Sequence, residues 1–296
     1  MRILVASPRV APGLLTLTAW DALRSADTVR AADMDEPHVQ AIINAGIEVE
    51  ASPELPTYEP DTVWIAPAGD VKWAQKVATD LMDTERMDTE VVGGAPSVEI
   101  VFGSYDAAGS KVLDLVEVLD QLRLHCPWTK EQTHASLSHY LLEEAHETLE
   151  ALDSGDSDHL REELGDLLMQ VVFHARIASE GEGWNIDDVA EGIVGKLIYR
   201  NPHVFGDATV ANVEEVDANW QALKALEKQR TSPFEGIAAT LPALAMADKV
   251  LDRLDQTPQA GDDIGGRLLA LVIEARAAGV NAEEALRHNI RSLVGR

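Results

Sequence analysis

The chain has 296 residues, 46% of them hydrophobic and 25% charged, with a formal net charge of −27. Such a length holds one to three domains with a real core, and the composition is that of a soluble globular protein. The acidic balance excludes an electrostatic footprint for nucleic acid, whose phosphates demand Lys and Arg, and argues against an anionic membrane surface. No apolar run reaches the roughly 18–20 residues of a membrane span. The opening MRILVASPRV lacks the apolar core of a signal peptide, and the single cysteine, Cys126, allows no internal disulfide. Both point to a reduced, cytoplasmic setting.

Residues 1–106 read as a small α/β domain. The β-leaning runs RILVA (2–6), TVRAAD (28–33), TVWIA (62–66) and SVEIVF (97–102) are separated by helix-like stretches at 14–26 and 71–83. AAGS (107–110) is a linker. Residues 110–230 read as almost entirely helical. Val112, Leu115, Val116, Leu119 and Leu122 form a stripe that stops at Pro127. Further helices are predicted over 134–153, over 158–179 with Ser157 as N-cap, from a cap at Asn185 to Arg200, and over 213–230. NPHVFGDAT (201–209) reads as a loop. Helices of this length with short loops predict an antiparallel bundle. TSPFEG (231–236) is a second linker, and 237–296 carry more helix, interrupted at 256–263. The fold class is therefore mainly α, a helical bundle preceded by a small α/β domain.

A short repeat lies 100 positions apart. Glu163-Leu-Gly-Asp-Leu-Leu aligns with Asp263-Ile-Gly-Gly-Arg-Leu, and Leu168, Val172 and Arg176 align with Leu268, Val272 and Arg276. If this is a duplication, the segment 237–296 is a degenerate second copy in which Gly266 stands for Asp166. Its apolar residues, Ile264 to Ile273, predict a helix that buries a broad face.

The helical region concentrates carboxylates beside leucines. Glu144 and Glu147 are about 60° apart on a helix and Glu143 and Glu147 about 40° apart; Glu163 and Asp166 form a matching pair on the next helix. Antiparallel helices bring the pairs together, and such charges repel unless a cation sits between them. The other interpretation is a solvated acidic face, which suits Glu150, Glu162 and Glu180. Spacing alone leaves both open. Glu143 and His146 also form a Glu-x-x-His, but a di-iron bundle requires this motif twice and no second copy lies on a helix.

CPWTKEQTHASLSHYLLEEAHETLEAL (126–152), LREELGDLLMQVVFHARIA (160–178) and KLIYRNPHVFGD (196–207) together resemble the MazG family of all-α nucleoside triphosphate pyrophosphohydrolases. The likeness covers residues 110–230 and rests on EExxE followed by ExxD. It implies hydrolysis of nucleoside triphosphates to nucleoside monophosphate and pyrophosphate, in nucleotide-pool housekeeping. It implies that Glu144, Glu147, Glu163 and Asp166 hold Mg²⁺, with Mn²⁺ as a substitute, and that Glu143 is an outer acid or water-orienting base. Lys196 and Arg200 match cations that contact the triphosphate; on their own they would be an ordinary cationic helix end. Trp128 and Lys130 lie in the entry motif, and Trp220 and Lys224 match positions near the nucleotide. Asn201 stands where the family commonly has His. A homodimer is also implied. The alternative is a catalytically silent adaptor or regulatory protein that kept the fold.

APGLLTLTAWDALRSADTV (11–29) is similar to the opening of tetrapyrrole methylases. The glycine-rich loop of those enzymes is missing, since SPRVAPG (7–13) has only Gly13. Residues 1–106 are thus expected to be a degenerate remnant with a structural role and no S-adenosylmethionine binding. A methylase fusion whose main work lies in this region is the second alternative.

Overall fold

Short runs of β-branched and aliphatic residues at the start of the chain form strands β1 (Arg2–Val5), β2 (Thr28–Ala31), β3 (Glu50–Ala51), β4 (Thr62–Ile65) and β5 (Glu99–Phe102). The computed structural model describes residues 1–87, 97–228, 232, 234–254 and 256–294. The strands make one sheet in the order β3-β2-β4-β1-β5, and every pairing is parallel. All of β4 is buried, as expected of a strand covered on both faces. Leu4, Val29, Val63, Ile65 and Val101 pack under α1 (Leu17–Ser25) and α2 (Pro37–Asn44). Ile3, Val5 and Trp64 point the other way, under α3 (Val71–Met87). The sequence pattern misses β3 and α2. A strand of two residues is too short to show alternation.

Arg9, in the loop after β1, ties this layer to the helices. Its Nε and Nη2 donate to Asp114 Oδ1 and Oδ2, both at 2.7 Å, and its Nη1 donates to Asp106 Oδ2 at 2.7 Å. The Arg9 hydrogen bond holds the Asp114 carboxyl below its ordinary range. Asp114 lies in the first turn of α4 (Lys111–His125), where a negative charge also suits the helix dipole.

The residues around Pro127 are not a plain break, because Pro127–Glu131 form a short helix, α5. Helix α6 (His134–Ser154) starts at Thr133, whose hydroxyl accepts from Ser136 N while Ser136 Oγ accepts from Thr133 N. It ends at Gly155, at φ +73°. Helix α7 (Ser157–Ala178) is capped by Asp156, one residue before the predicted Ser157; its carboxylate accepts from Asp158 N and His159 N. A carboxylate at this place is favoured by both orphan N–H groups and the dipole. Asn185 caps α8 (Ile186–Arg200) through a 2.7 Å bond from Asp187 N. Leu119, Leu137, Val172 and Phe173 form the core where α4, α6 and α7 meet.

The chain packs as two units, Met1–Asp187 and Asp188–Arg296. The second contains most of α8, then α9 (Pro202–Phe205) inside the predicted loop, α10 (Val213–Lys228), α11 (Ala243–Leu251), α12 (Ile264–Ala277) and α13 (Ala282–Val294). Residues 229 and 230, the predicted end of α10, lie outside the described residues. Thus the fold is mainly helical, with a small parallel sheet at its N-terminal end.

Helix α12 explains the missing acid of the repeat. Asp263 is its N-cap and accepts from Gly266 N at 2.6 Å. A Cβ at Gly266 would lie 2.1 Å from the carbonyl oxygen of Gly261, so no aspartate fits there while the preceding turn keeps its path. The predicted broad buried face is narrower than expected. Val272 is 1% exposed, but Ile264, Leu268 and Leu271 are 69%, 50% and 59% exposed. Val272→Ala should therefore cost about 1–3 kcal/mol and lower the melting temperature clearly, whereas Leu268→Ala should lower it less. Thermal denaturation of the two variants checks the order.

Candidate metal and nucleotide site

Helices α6 and α7 are joined by a tight turn, so their facing turns run antiparallel. One carboxylate oxygen from each of Glu144, Glu163 and Asp166 lies within 4.8 Å of the others. Glu163 is buried and Glu144 and Asp166 are half-buried. Burial, and then the charges of Asp166, Glu147, Glu163 and Glu143, push the Glu144 carboxyl above its ordinary range. Glu147 is outside the converging set and exposed, one turn along α6, but its charge bears on Glu144. Glu143, Glu150 and Glu162 are exposed. His146 is exposed and does not belong to the set.

Two residues that the motif does not name support this group. His159 Nε2 lies 3.0 Å from Glu163 Oε1, one helical turn away on α7. Thr148 is buried; its hydroxyl donates to the carbonyl of Glu144 at 2.8 Å and lies 3.5 Å from that of Glu163. Thr148 thus sits between the turns that carry the acids. The i, i+4 spacing of His159 and Glu163 was visible in the sequence; the cross-helix role of Thr148 was not. The leucines beside the acids do not bury them in the way their density predicts. Leu142, Leu164 and Leu168 are 61%, 49% and 38% exposed, so the apolar flanks are surface within this chain.

Four sequence-predicted substrate residues lie in the second unit. Arg200 is buried at the end of α8, with its Nε and Nη2 donating to Glu227 Oε2 at 2.9 and 2.7 Å. The Trp220 ring centroid is 5.2 Å from its guanidinium carbon. The Arg200 hydrogen bond, then its charge and those of Lys228 and Lys196, depress the Glu227 carboxyl. Lys196 is exposed and Lys224 half-buried. In the first unit Trp128 is 51% exposed, with its ring edge-on to Tyr140 at 6.0 Å and near Phe173 at 6.4 Å. Lys130 beside it is exposed.

A polar seam runs along α7 away from the acids. Gln170 is buried with no partner for Oε1 among the described residues, and His174 Nε2 is buried with none either. His174 Nδ1 meets His134 Nδ1 at 2.7 Å, so the pair shares one proton between those nitrogens. His134 Nε2 lies 3.1 Å from Glu182 Oε1, close enough for an ion pair but not aligned for a hydrogen bond. Burial, and then the charge of His134, lower the His174 pKa.

A histidine with a depressed folded pKa binds its proton more readily when unfolded, so its cost is absent above the ordinary value of about 6.5. Stability falls as pH drops below that value and through the lower folded pKa. Urea denaturation should show the midpoint decreasing over this window in the wild type, with a smaller decrease in His174→Phe. A second outcome follows from the raised Glu144 carboxyl: Glu144→Gln should raise the melting temperature of metal-free protein near pH 7, because a repelling charge is removed while shape is kept. Thermal denaturation in a chelator checks it, and an unchanged or lower value contradicts the crowding.

Residues 132–205 match the model of the MazG nucleotide pyrophosphohydrolase domain, a span that takes in α6, α7 and α8 with the converging acids, Lys196 and Arg200. The chain is 36% identical over 261 residues to the nucleoside triphosphate pyrophosphohydrolase of Mycobacterium tuberculosis, covering 87% of this chain and 78% of that protein. It is 36% identical over 220 residues to the nucleoside triphosphate pyrophosphohydrolase/pyrophosphatase MazG of Thermotoga maritima, covering 64% and 85%. It is 46% identical over 201 residues to an uncharacterized 26.1 kDa protein of Streptomyces cacaoi, covering 65% and 83%. With likeness extending over most of these relatives and the acid-bearing hairpin inside the matched domain, the chain belongs to the MazG family.

Proposed function

We propose that this protein is an enzyme that hydrolyses nucleoside triphosphates to nucleoside monophosphate and pyrophosphate with Mg²⁺. The observation that carries the proposal is the convergence of Glu144, Glu163 and Asp166 within 4.8 Å on two antiparallel helices, in a family whose named relatives are pyrophosphohydrolases. An all-oxygen, crowded, partly buried set suits a hard divalent cation, Mg²⁺ or Mn²⁺. Glu144, Glu163 and Asp166 would hold it, with Glu147 adding charge or a further oxygen. Once bound, such a cation neutralises phosphate oxygens and polarises water.

The remaining roles belong to the chain's own side chains. Glu143, exposed and outside the converging set, is proposed to orient or deprotonate the attacking water. Lys196 and Arg200 take up charge on the phosphates, and Lys130 and Lys224 are further cations for it. Trp220 and Trp128 offer flat faces to the nucleoside. The exposed apolar faces of α6 and α7 are suited to a second copy, and a homodimer is proposed. For the N-terminal α/β layer a structural role without S-adenosylmethionine binding is proposed. The setting is taken to be the cytoplasm, and the role nucleotide-pool housekeeping.

Incubation of the full chain with a panel of NTPs and dNTPs plus Mg²⁺, with products resolved by chromatography, tests the assignment. Nucleoside monophosphate and pyrophosphate are expected; release of nucleoside diphosphate and orthophosphate contradicts it. No turnover with any nucleotide would favour the silent adaptor. Glu163→Gln and Asp166→Asn should each lower kcat by about 100-fold or more while circular dichroism stays unchanged.

A further inference from the structure

We propose that Glu227 is a positioning residue that holds the Arg200 guanidinium with one edge open for a phosphate. The inference rests on the pyrophosphohydrolase reading above and adds a residue that the family motifs do not include. A guanidinium has two edges able to make paired hydrogen bonds, one formed by Nε and an Nη, the other by both Nη groups. Glu227 occupies the first, with both bonds converging on Oε2 at 2.9 and 2.7 Å. Trp220 covers a face at 5.2 Å. Among the described residues Nη1 has no hydrogen-bond partner, although Arg200 is only 8% exposed.

That combination is uneconomical for an arginine with a purely structural task. Arg123 and Arg9, the ion-paired arginines whose side chains are shielded most nearly as well as that of Arg200, have all three nitrogens fastened, whereas the more exposed Arg176 and Arg30 leave Nη2 without a hydrogen-bond partner among the described residues. Arg123 spends Nε and Nη2 on Glu180 and Nη1 on backbone carbonyls, that of Gln132 at 3.0 Å among them. Arg9 spends Nε and Nη2 on Asp114 and Nη1 on Asp106. Arg200 alone of these three is fixed on one edge and one face and left open on the other edge. The surroundings also favour an anion. The charges acting on Glu227 are those of Arg200, Lys228 and Lys196, so cations outnumber the one carboxylate in a chain whose net charge is −27. Fixing the fork before the ligand arrives removes the cost of ordering it on binding. The ligand class is a phosphate oxygen pair, bound by hydrogen bonds from a pre-aimed edge.

The test is a double-mutant cycle on the full chain with a nucleotide that the wild type turns over, measuring kcat and KM for Glu227→Ala, Arg200→Ala and the double variant. Glu227→Ala should raise KM about tenfold, the equivalent of roughly one charge-assisted hydrogen bond, and leave kcat within about twofold. In the Arg200→Ala background it should have no further effect. Additive effects would overturn the inference, and so would an unchanged or lower KM, which would make Glu227 a bystander or a competitor for the cation. Glu227→Gln, which keeps an acceptor, should fall between wild type and Glu227→Ala and serves if the alanine variant is unstable. If the wild type hydrolyses no nucleotide, the enzyme reading fails separately, and calorimetry with inorganic pyrophosphate decides the present point. Binding by the wild type that is weakened in Glu227→Ala and Arg200→Ala, with the double variant no weaker than Arg200→Ala, supports it; undiminished binding by Glu227→Ala, additive losses, or no binding by the wild type refutes it.

Discussion

Repulsion among carboxylates is the constraint around which the α6–α7 hairpin is built. Glu144, Glu163 and Asp166 converge within 4.8 Å, and their mutual charge, added to burial, drives Glu144 toward protonation. A hairpin could relieve this by letting the helices splay. Thr148, lodged between the turns, and the capped starts of α6 and α7 oppose splaying. The acids are thus held together by the Thr148 hydroxyl and the helix caps, and the relief left open is neutralisation by a cation or a proton. This is the trade of stability for charge placement that functional sites make.

Arginine struts transmit that rigidity to α4. Arg176 on α7 bonds Asp120 on α4 at 2.7 Å and Glu180 at 3.0 Å, while Arg123 on α4 bonds the same Glu180 at 2.7 Å. The side chains of both arginines are mostly shielded, which makes such pairs firmer than exposed ones. The second unit repeats the device. Arg276 on α12 meets Asp248 on α11 at 3.0 Å and Asp252, the C-cap of α11, at 2.5 Å. Arg176 and Arg276 are the aligned arginines of the sequence repeat, and each reaches an acid of an earlier helix or its cap. Asp166 has no counterpart at Gly266, where the preceding turn passes too close for a side chain.

Much of this was legible in the sequence. The helices from α6 to α8 follow from periodicity and flanking turn residues, and their ends fall within a residue or two of expectation. EExxE and ExxD marked the acids, and helical spacing set the pairs Glu144/Glu147 and Glu143/Glu147 against Glu163/Asp166; of these Glu144, Glu163 and Asp166 converge, and Glu147 lies outside the set. Less legible were features set by contacts between distant residues. The apolar flanks of the acids read as core but are surface in this chain, since periodicity cannot tell a buried stripe from one awaiting a partner. Asp156 outcompeted Ser157 as cap because its carboxylate reaches two N–H groups. The His134–His174 pair joins residues 40 apart in sequence, and the Arg200–Glu227 pair joins residues 27 apart; neither spacing is a local signal. The strands β1, β2, β4 and β5 were visible as β-branched runs, while β3 was too short to be seen.

Direct titration of the metal-free protein with Mg²⁺, followed by calorimetry in the absence of nucleotide, tests whether the crowded acids are a cation site. Saturable binding by the wild type, lost or greatly weakened in Glu163→Gln with its helix content intact, is the result predicted. Equal binding by the wild type and Glu163→Gln, or none by either, would contradict it.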